Sequence, residues 1–257
     1  MNAPREHGRH ESPDSVGDDT TPDTGNGVPE ADPHGRHEAD SPEAPQPVLR
    51  ARGLGLRVGD RPVFADVDLD VLPASVVAVV GLAGTGRSSL LLGLTGRMAL
   101  TAGTLEVRGT SDAKRIRALT AVARITGLID LEDRLTVAEA ITERSLLDGV
   151  KVPAGERAVR GAADLLGLPL DGSRLVEDLT ARDRTLLAVA VACARPADLI
   201  VLDDLDAGLH LEDQSDVLLA LATLAATGPA VVISTTDRSP LPDTVPAIHL
   251  HQPEDHR

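Results

Sequence analysis

With 257 residues and a net charge of −15, the chain has room for one ordinary domain plus an appendage, or for two small domains. It is too acidic for general affinity to nucleic acid or anionic lipid. A single cysteine, Cys193, excludes an internal disulfide, and the absence of Trp and Tyr, with one Phe (Phe64), excludes an aromatic platform for stacking bases.

Residues 1–47 are rich in Pro, Gly, Ser and His, hold 11 acidic and 3 basic side chains, and contain almost no large apolar residue. Such a stretch buries too little apolar surface to offset chain entropy, which predicts a disordered tail that is dispensable for folding. The element His-Gly-Arg-His-Glu occurs twice in it, at 7–11 and 34–38. Two imidazoles three residues apart can share a metal ion, but no cysteine is near and nothing fixes the pair. The reading taken is a solvated low-complexity tail.

From Val48 the pattern becomes globular. Residues 48–58 alternate as a strand does, as do Val67, Leu69 and Val71, and Ser75–Val80 reads as a buried strand. A helix is predicted over 88–98, a short strand over 103–109 and a β-branched run over 121–129. Residues 136–149 and 155–167 have helical periodicity. A helix over 181–196 is ended by Pro196 and carries Cys193 as a buried structural thiol. Residues 199–202 form a buried strand, an amphipathic helix covers about 211–226, and 229–236 is the last strong strand. Strands alternating with helices predict a mainly parallel α/β sheet covered on both faces. Antiparallel strands come first, and a helical subdomain is inserted at 130–180 of a domain spanning 48–250, with 251–257 a short tail. No apolar run is long enough to span a membrane and no apolar leader core is present, which predicts a cytoplasmic protein.

The chemistry centres on Gly81-Leu82-Ala83-Gly84-Thr85-Gly86-Arg87-Ser88-Ser89, directly after an apolar strand. Glycine, four residues, glycine, a cation and a hydroxyl is the spacing of a phosphate-binding loop. Gly81, Gly84 and Gly86 let backbone N–H groups wrap an anion, and the helix that follows points its positive end at it. Ser88 is placed to ligate Mg²⁺ and Ser89 to bond a phosphate oxygen. The cation is Arg87 where such loops carry lysine. Arginine keeps the charge and can fork two N–H bonds, but it is longer and planar, so binding should survive the change better than hydrolysis. Downstream, the apolar run Leu199–Leu202 ends in paired acids, Asp203 and Asp204, the pattern in which the first acid holds Mg²⁺.

The stretch VEDLTARDRTLLAVAVACARPADLIVLDDLDAGL (176–209) resembles the signature-helix and Walker B segment of ATP-binding cassette (ABC) ATPases. The offset from Leu179 to Asp203 matches that family without gaps. The resemblance covers about 48–250, and the base-reading motif of GTPases is absent. It implies a P-loop fold with ATP and Mg²⁺ as ligands, held by the loop from Gly81 to Ser89 and by Asp203. Asp204 would stand where the family has its catalytic glutamate, one methylene shorter. Thr180 would keep the hydroxyl of the signature, which faces a partner subunit's nucleotide. Arg182 replaces a signature glycine, Asp183 its glutamine, His210 a loop aspartate and Thr236 the switch histidine. The Mg²⁺-sensing glutamine is expected near Asp130, where none exists, and the adenine-stacking aromatic near Val58 is lost. The departures at Arg87, Asp183, Asp204 and Thr236 all lead away from hydrolysis. The implied function is a nucleotide-binding subunit with slow turnover, in a nucleotide-linked homo- or heterodimer at the inner face of the membrane. It would work with a separately encoded membrane protein. The alternatives are a non-catalytic regulatory or scaffold protein and, through the tail, a metal buffer.

Overall fold

A computed structural model describes residues 45–251. The expected disorder up to residue 44 and both histidine pairs lie outside the described residues. In chain order the elements are β1 (Leu49–Val58), β2 (Arg61–Val71), β3 (Val76–Val80), α1 (Arg87–Leu94), β4 (Ala102–Val107), α2 (Ala113–Leu119) and β5 (Thr120–Arg124). Then follow α3 (Val137–Leu147), α4 (Val152–Leu165), α5 (Ala181–Ala192), β6 (Leu199–Leu202), α6 (Leu211–Ala225), β7 (Ala230–Thr235) and β8 (Ala247–His249).

Two sheets result. The first is antiparallel, in the order β2-β1-β4; the second is wholly parallel, in the order β5-β6-β7-β3-β8. The parallel strands are apolar on both sides because both faces are covered. Val77, Val79, Val201 and Val232 pack with the leucines of α1 and with the antiparallel sheet. Their neighbours Ala78, Val80, Ile200, Val231 and Ile233 point the other way, into a core shared with α3, α4, α5 and α6. This period of two is hidden in the sequence, since the middle of each strand is hydrophobic at every position. Phe64 is the one aromatic residue, and it is buried beneath the loop that leads into α1.

The α/β architecture with leading antiparallel strands is as expected; several boundaries are not. The helix predicted over 88–98 ends at Leu94, where the Thr95 N–H returns to Leu91 O and Gly96 turns with φ +67. The helix predicted to run to Pro196 ends at Ala192, since the residues just before a proline disfavour helical backbone. The run over 121–129 pairs as a strand only to Arg124 and then closes a turn, with Ile125 bridged to Ile129. Strand β2 starts six residues before its visible alternation. Register shifts against β1 and a left-handed Asp66 (φ +53) break the period of two there. Helix α2 and strand β8 are too short to leave a periodic signal. Cys193 caps α5; its thiol donates to Val189 O at 3.4 Å, and burial pushes its pKa up to about 11, so it stays protonated at neutral pH.

Helix α3 begins with a capping box in which Thr136 and Glu139 satisfy each other's backbone N–H groups. Helix α4 crosses it where Gly155 meets the buried Ser145, whose hydroxyl donates to Ile141 O at 2.7 Å. A Cβ at Gly155 would overlap that hydroxyl and stand 2.9 Å from Ser145 Cβ. Gly161, on the same helix, faces open space. Gly155→Ala is therefore expected to lose about 1–3 kcal/mol by overpacking. Gly161→Ala should gain up to about 1 kcal/mol from its better helix propensity. Urea unfolding of the two variants checks this; equal effects would contradict the packing described.

Candidate functional site

The strand order sets the ends of β3, β7, β6 and β5 side by side, and each end delivers a polar group. Strand β3 leads to Gly81, whose N–H donates to Thr235 O at the end of β7 (3.2 Å). Strand β6 leads to Asp203 and Asp204, β7 contributes Ser234, and β5 ends in Arg124. Carboxyl ends of parallel strands are where sheets of this kind collect ligands.

The loop from Gly81 to Gly86 closes on itself: Leu82 O accepts from Thr85 N–H (3.2 Å) and from the Thr85 hydroxyl (2.9 Å). Thr85 is thereby buried, while Leu82, Ala83 and Gly84 lie on the surface. Gly84 and Gly86 have φ of +82 and +91, backbone that side chains rarely adopt. A Cβ on Gly86 would also stand 2.8 Å from Val63 Cγ1 and 3.0 Å from the Phe64 ring. Helix α1 starts at once, with no side-chain cap and no acidic residue in its first turn. Its leading amides point out of the helix without a side-chain acceptor.

Asp203 is fully buried. One of its oxygens accepts from the Ser88 hydroxyl (2.6 Å) and from Thr126 N–H (3.3 Å); the other accepts from the Ser234 hydroxyl. Ser234 Oγ in turn accepts from Asp204 N–H at 2.8 Å. Asp204 has a left-handed backbone (φ +48), and its carbonyl accepts from Arg124 Nη2 at 2.7 Å. Arg124 also donates from Nε and Nη2 to Asp203 O (3.2 and 3.1 Å) and from Nη1 to the Thr185 hydroxyl (3.1 Å). Burial pushes the Arg124 pKa down, against the pull of Asp130, Asp204 and Asp203. Arg87 is buried too. Its Nη2 donates to Asp204 Oδ1 at 2.7 Å, and its Nη1 is buried without a partner.

The structure thus brings Arg87, Ser88, Asp203 and Asp204 together, with the glycine loop beside them. Ser89 occupies the third position of α1, and no hydrogen bond among the described residues engages its hydroxyl. Thr180 is apart from this cluster: it caps α5 by accepting from Asp183 N–H at 3.0 Å. Arg182 pairs with Asp183 (3.2 Å), and His210 starts α6 without a side-chain cap. Thr236 donates from its N–H (3.0 Å) and its hydroxyl to Asp206, whose other oxygen is buried and unpartnered. Val58 is exposed at the end of β1. Just past β5 the Thr126 N–H reaches Asp203, while the Asp130 carboxylate turns to Arg184 at 3.5 Å. Sequence reasoning passed over Arg124, although a lone charge inside the apolar run AVARI was a signal.

A parallel sheet whose strand ends carry a glycine loop with an uncapped helix, a hydroxyl and paired acids defines a P-loop nucleotide-binding fold. The chain belongs to the ABC transporter family, whose family model matches residues 64–207. Among its relatives is the ribose import ATP-binding protein RbsA 2 of Rubrobacter xylanophilus, 31% identical over 72% of this chain. The chain spans 37% of that protein's length. The cobalt import ATP-binding protein CbiO of Rhodobacter capsulatus is 29% identical over 74% of this chain and 70% of its own length. The solved structure of cbiO1 from Clostridium perfringens, part of the cbiONQ transporter complex, superposes with a TM-score of 0.69 at 16% identity. It covers 80% of this chain and 86% of cbiO1. That likeness shows the fold.

Arg124 holds the backbone of both acids, so removing its fork leaves the buried Asp203 carbonyl without its donor and the Asp204 carbonyl with Ala207 N–H alone. Arg124→Met is expected to cost about 2–4 kcal/mol, and Arg124→Lys, a point charge without a fork, to recover less than half of that loss. Urea titration reads both; a loss below about 1 kcal/mol for Arg124→Met would contradict this role.

Proposed function

We propose that this chain is the nucleotide-binding subunit of an ABC-type transport system, binding ATP with Mg²⁺ and turning it over slowly. The observation that carries the reading is Arg87 Nη1, a buried cationic donor without a partner, beside the glycine loop and the uncapped start of α1. An oxyanion satisfies all three, and a phosphate chain on the loop is the oxyanion that family membership implies. The residues present also fit Mg²⁺. Ser88 Oγ and Asp203 Oδ2 are hard oxygen donors already 2.6 Å apart, and a small cation that keeps most of its waters needs few protein ligands. Bound there, Mg²⁺ would supply charge neutralisation for the phosphates.

The roles follow from position. Loop amides from Leu82 to Gly86 and the first turn of α1, with Ser89, hold the phosphates; Ser88 and Asp203 hold the metal. Asp204 stands where a base would take a proton from water. Its carboxylate is short, sits on a constrained backbone and is bonded to a guanidinium, three reasons for poor reach toward a water. Thr236 faces Asp206 and has no group that could serve as the family's switch histidine. Thr180 and Arg182, apart from this chain's own cluster, suit contact with the nucleotide of a second subunit. Among the described residues no helix is long and apolar enough to cross a membrane, which fits a subunit that works through a separate membrane protein. The named relatives are import proteins, and we extend to this chain only the coupling of nucleotide to transport.

Phosphate release by the purified full chain tests the reading. The unmodified protein is expected to be slow, and Arg87→Lys or Asp204→Glu alone to change little. The two combined with Thr236→His should exceed either single change by about tenfold or more, because groups that act as a unit do not contribute additively. Rapid hydrolysis by the unmodified chain, abolished by Asp203→Ala, would overturn the slow-turnover reading. A combined variant that binds nucleotide and stays inert would favour the non-catalytic regulatory alternative.

A further inference from the structure

We propose that the Arg87–Asp204 ion pair makes this a nucleoside-diphosphate site at rest, with Asp204 the residue that discriminates against a third phosphate. The proposal rests on the nucleotide reading above. It concerns which nucleotide the site prefers.

Two buried cations stand at the strand ends, and they are not equally free. The N–H groups of Arg124 are directed at the carbonyls of Asp203 and Asp204 and at the Thr185 hydroxyl. Arg87 is the cation facing the loop, and one edge of its guanidinium is already bonded to Asp204 Oδ1. Its Nη1 is buried and has no hydrogen-bond partner among the described residues. Two phosphates need little more than this donor, the loop amides and the leading amides of α1. A third phosphate would need more of the cation, and would bring further negative charge beside the Asp204 carboxylate that already holds it. The Asp204 carboxylate is therefore a built-in competitor for the cation and a source of repulsion toward the third phosphate.

Three features make the pair a fixed device rather than a passing surface contact. Its side chains are only 9% and 21% exposed, so salt and water screen it weakly. The Asp204 backbone is pinned in a left-handed conformation from both sides, by Ser234 Oγ on its N–H and by Arg124 on its carbonyl. A short aspartate on a pinned backbone has few rotamers with which to swing aside. The two substitutions also match in length: the long side chain of Arg87 reaches across to the short one of Asp204.

The test is a pair of affinities on the full chain, for ADP and for the slowly hydrolysed triphosphate ATPγS, by calorimetric titration at one fixed concentration of free Mg²⁺. The unmodified protein should bind ADP at least as tightly as ATPγS. Asp204→Asn and Asp204→Ser, each checked for folding by thermal melting, should shift the ADP-to-ATPγS affinity ratio toward the triphosphate by about tenfold. Tighter binding of ATPγS than ADP by the unmodified chain overturns the proposal, and so does a ratio that stays the same in both variants. Failure of both nucleotides to bind would instead refute the nucleotide reading on which the proposal rests. If neither variant folds, the ratio measured on the unmodified chain decides alone.

Discussion

Asp203 is a carboxylate with no exposure to solvent, and burying such a charge is costly unless donors surround it. The donors come from three parts of the chain: Ser88 in the first turn of α1, Ser234 in β7, and the backbone of Thr126 just past β5. Each can reach the carboxylate only if its strand lies in register with β6. The need to satisfy one buried group therefore ties the phosphate-type loop, the middle strand and the turn after β5 to a common point. The hydrophobic faces of the sheet supply the gross stability, and this point fixes how the strand ends meet.

Arg124 extends the same logic to the backbone. A guanidinium inside an apolar sheet is tolerable because its fork is filled by two carbonyls and a hydroxyl. In return it holds Asp204 in a left-handed conformation that a non-glycine residue adopts only when its surroundings over-determine it. The resulting arrangement is preorganised around a side chain that faces Arg87. Where the family pattern has a compact cation and a long acid, this chain has a long cation and a short acid, bonded to each other. The two departures compensate each other sterically and electrostatically, which neither does alone.

The scarcity of aromatics shapes the same region. The core is aliphatic, and the lone Phe64 lies against Gly86, beneath the turn where the loop enters α1. The exposed Val58 leaves the end of β1 without a ring.

Much of this was legible from the residues alone. The apolar runs at 76–80, 199–202 and 230–235 could be nothing but buried strands, and Gly81 to Ser89 and Asp203 stand at motif spacing, because backbone geometry demands glycine where φ is positive and the chemistry demands a hydroxyl and an acid. The identity of Arg87 and Asp204 was equally plain. Their bond was not, since 117 positions separate them and only the strand order brings them together. The same holds for Ser234 beneath both acids, for Arg124 behind them, and for the Thr126 N–H just past β5. The sequence determined which groups the site has, because composition and local spacing are one-dimensional. Which of those groups are paired with which was decided by tertiary structure, because a buried charge takes its partners from whatever the packed strands place within about 3 Å of it.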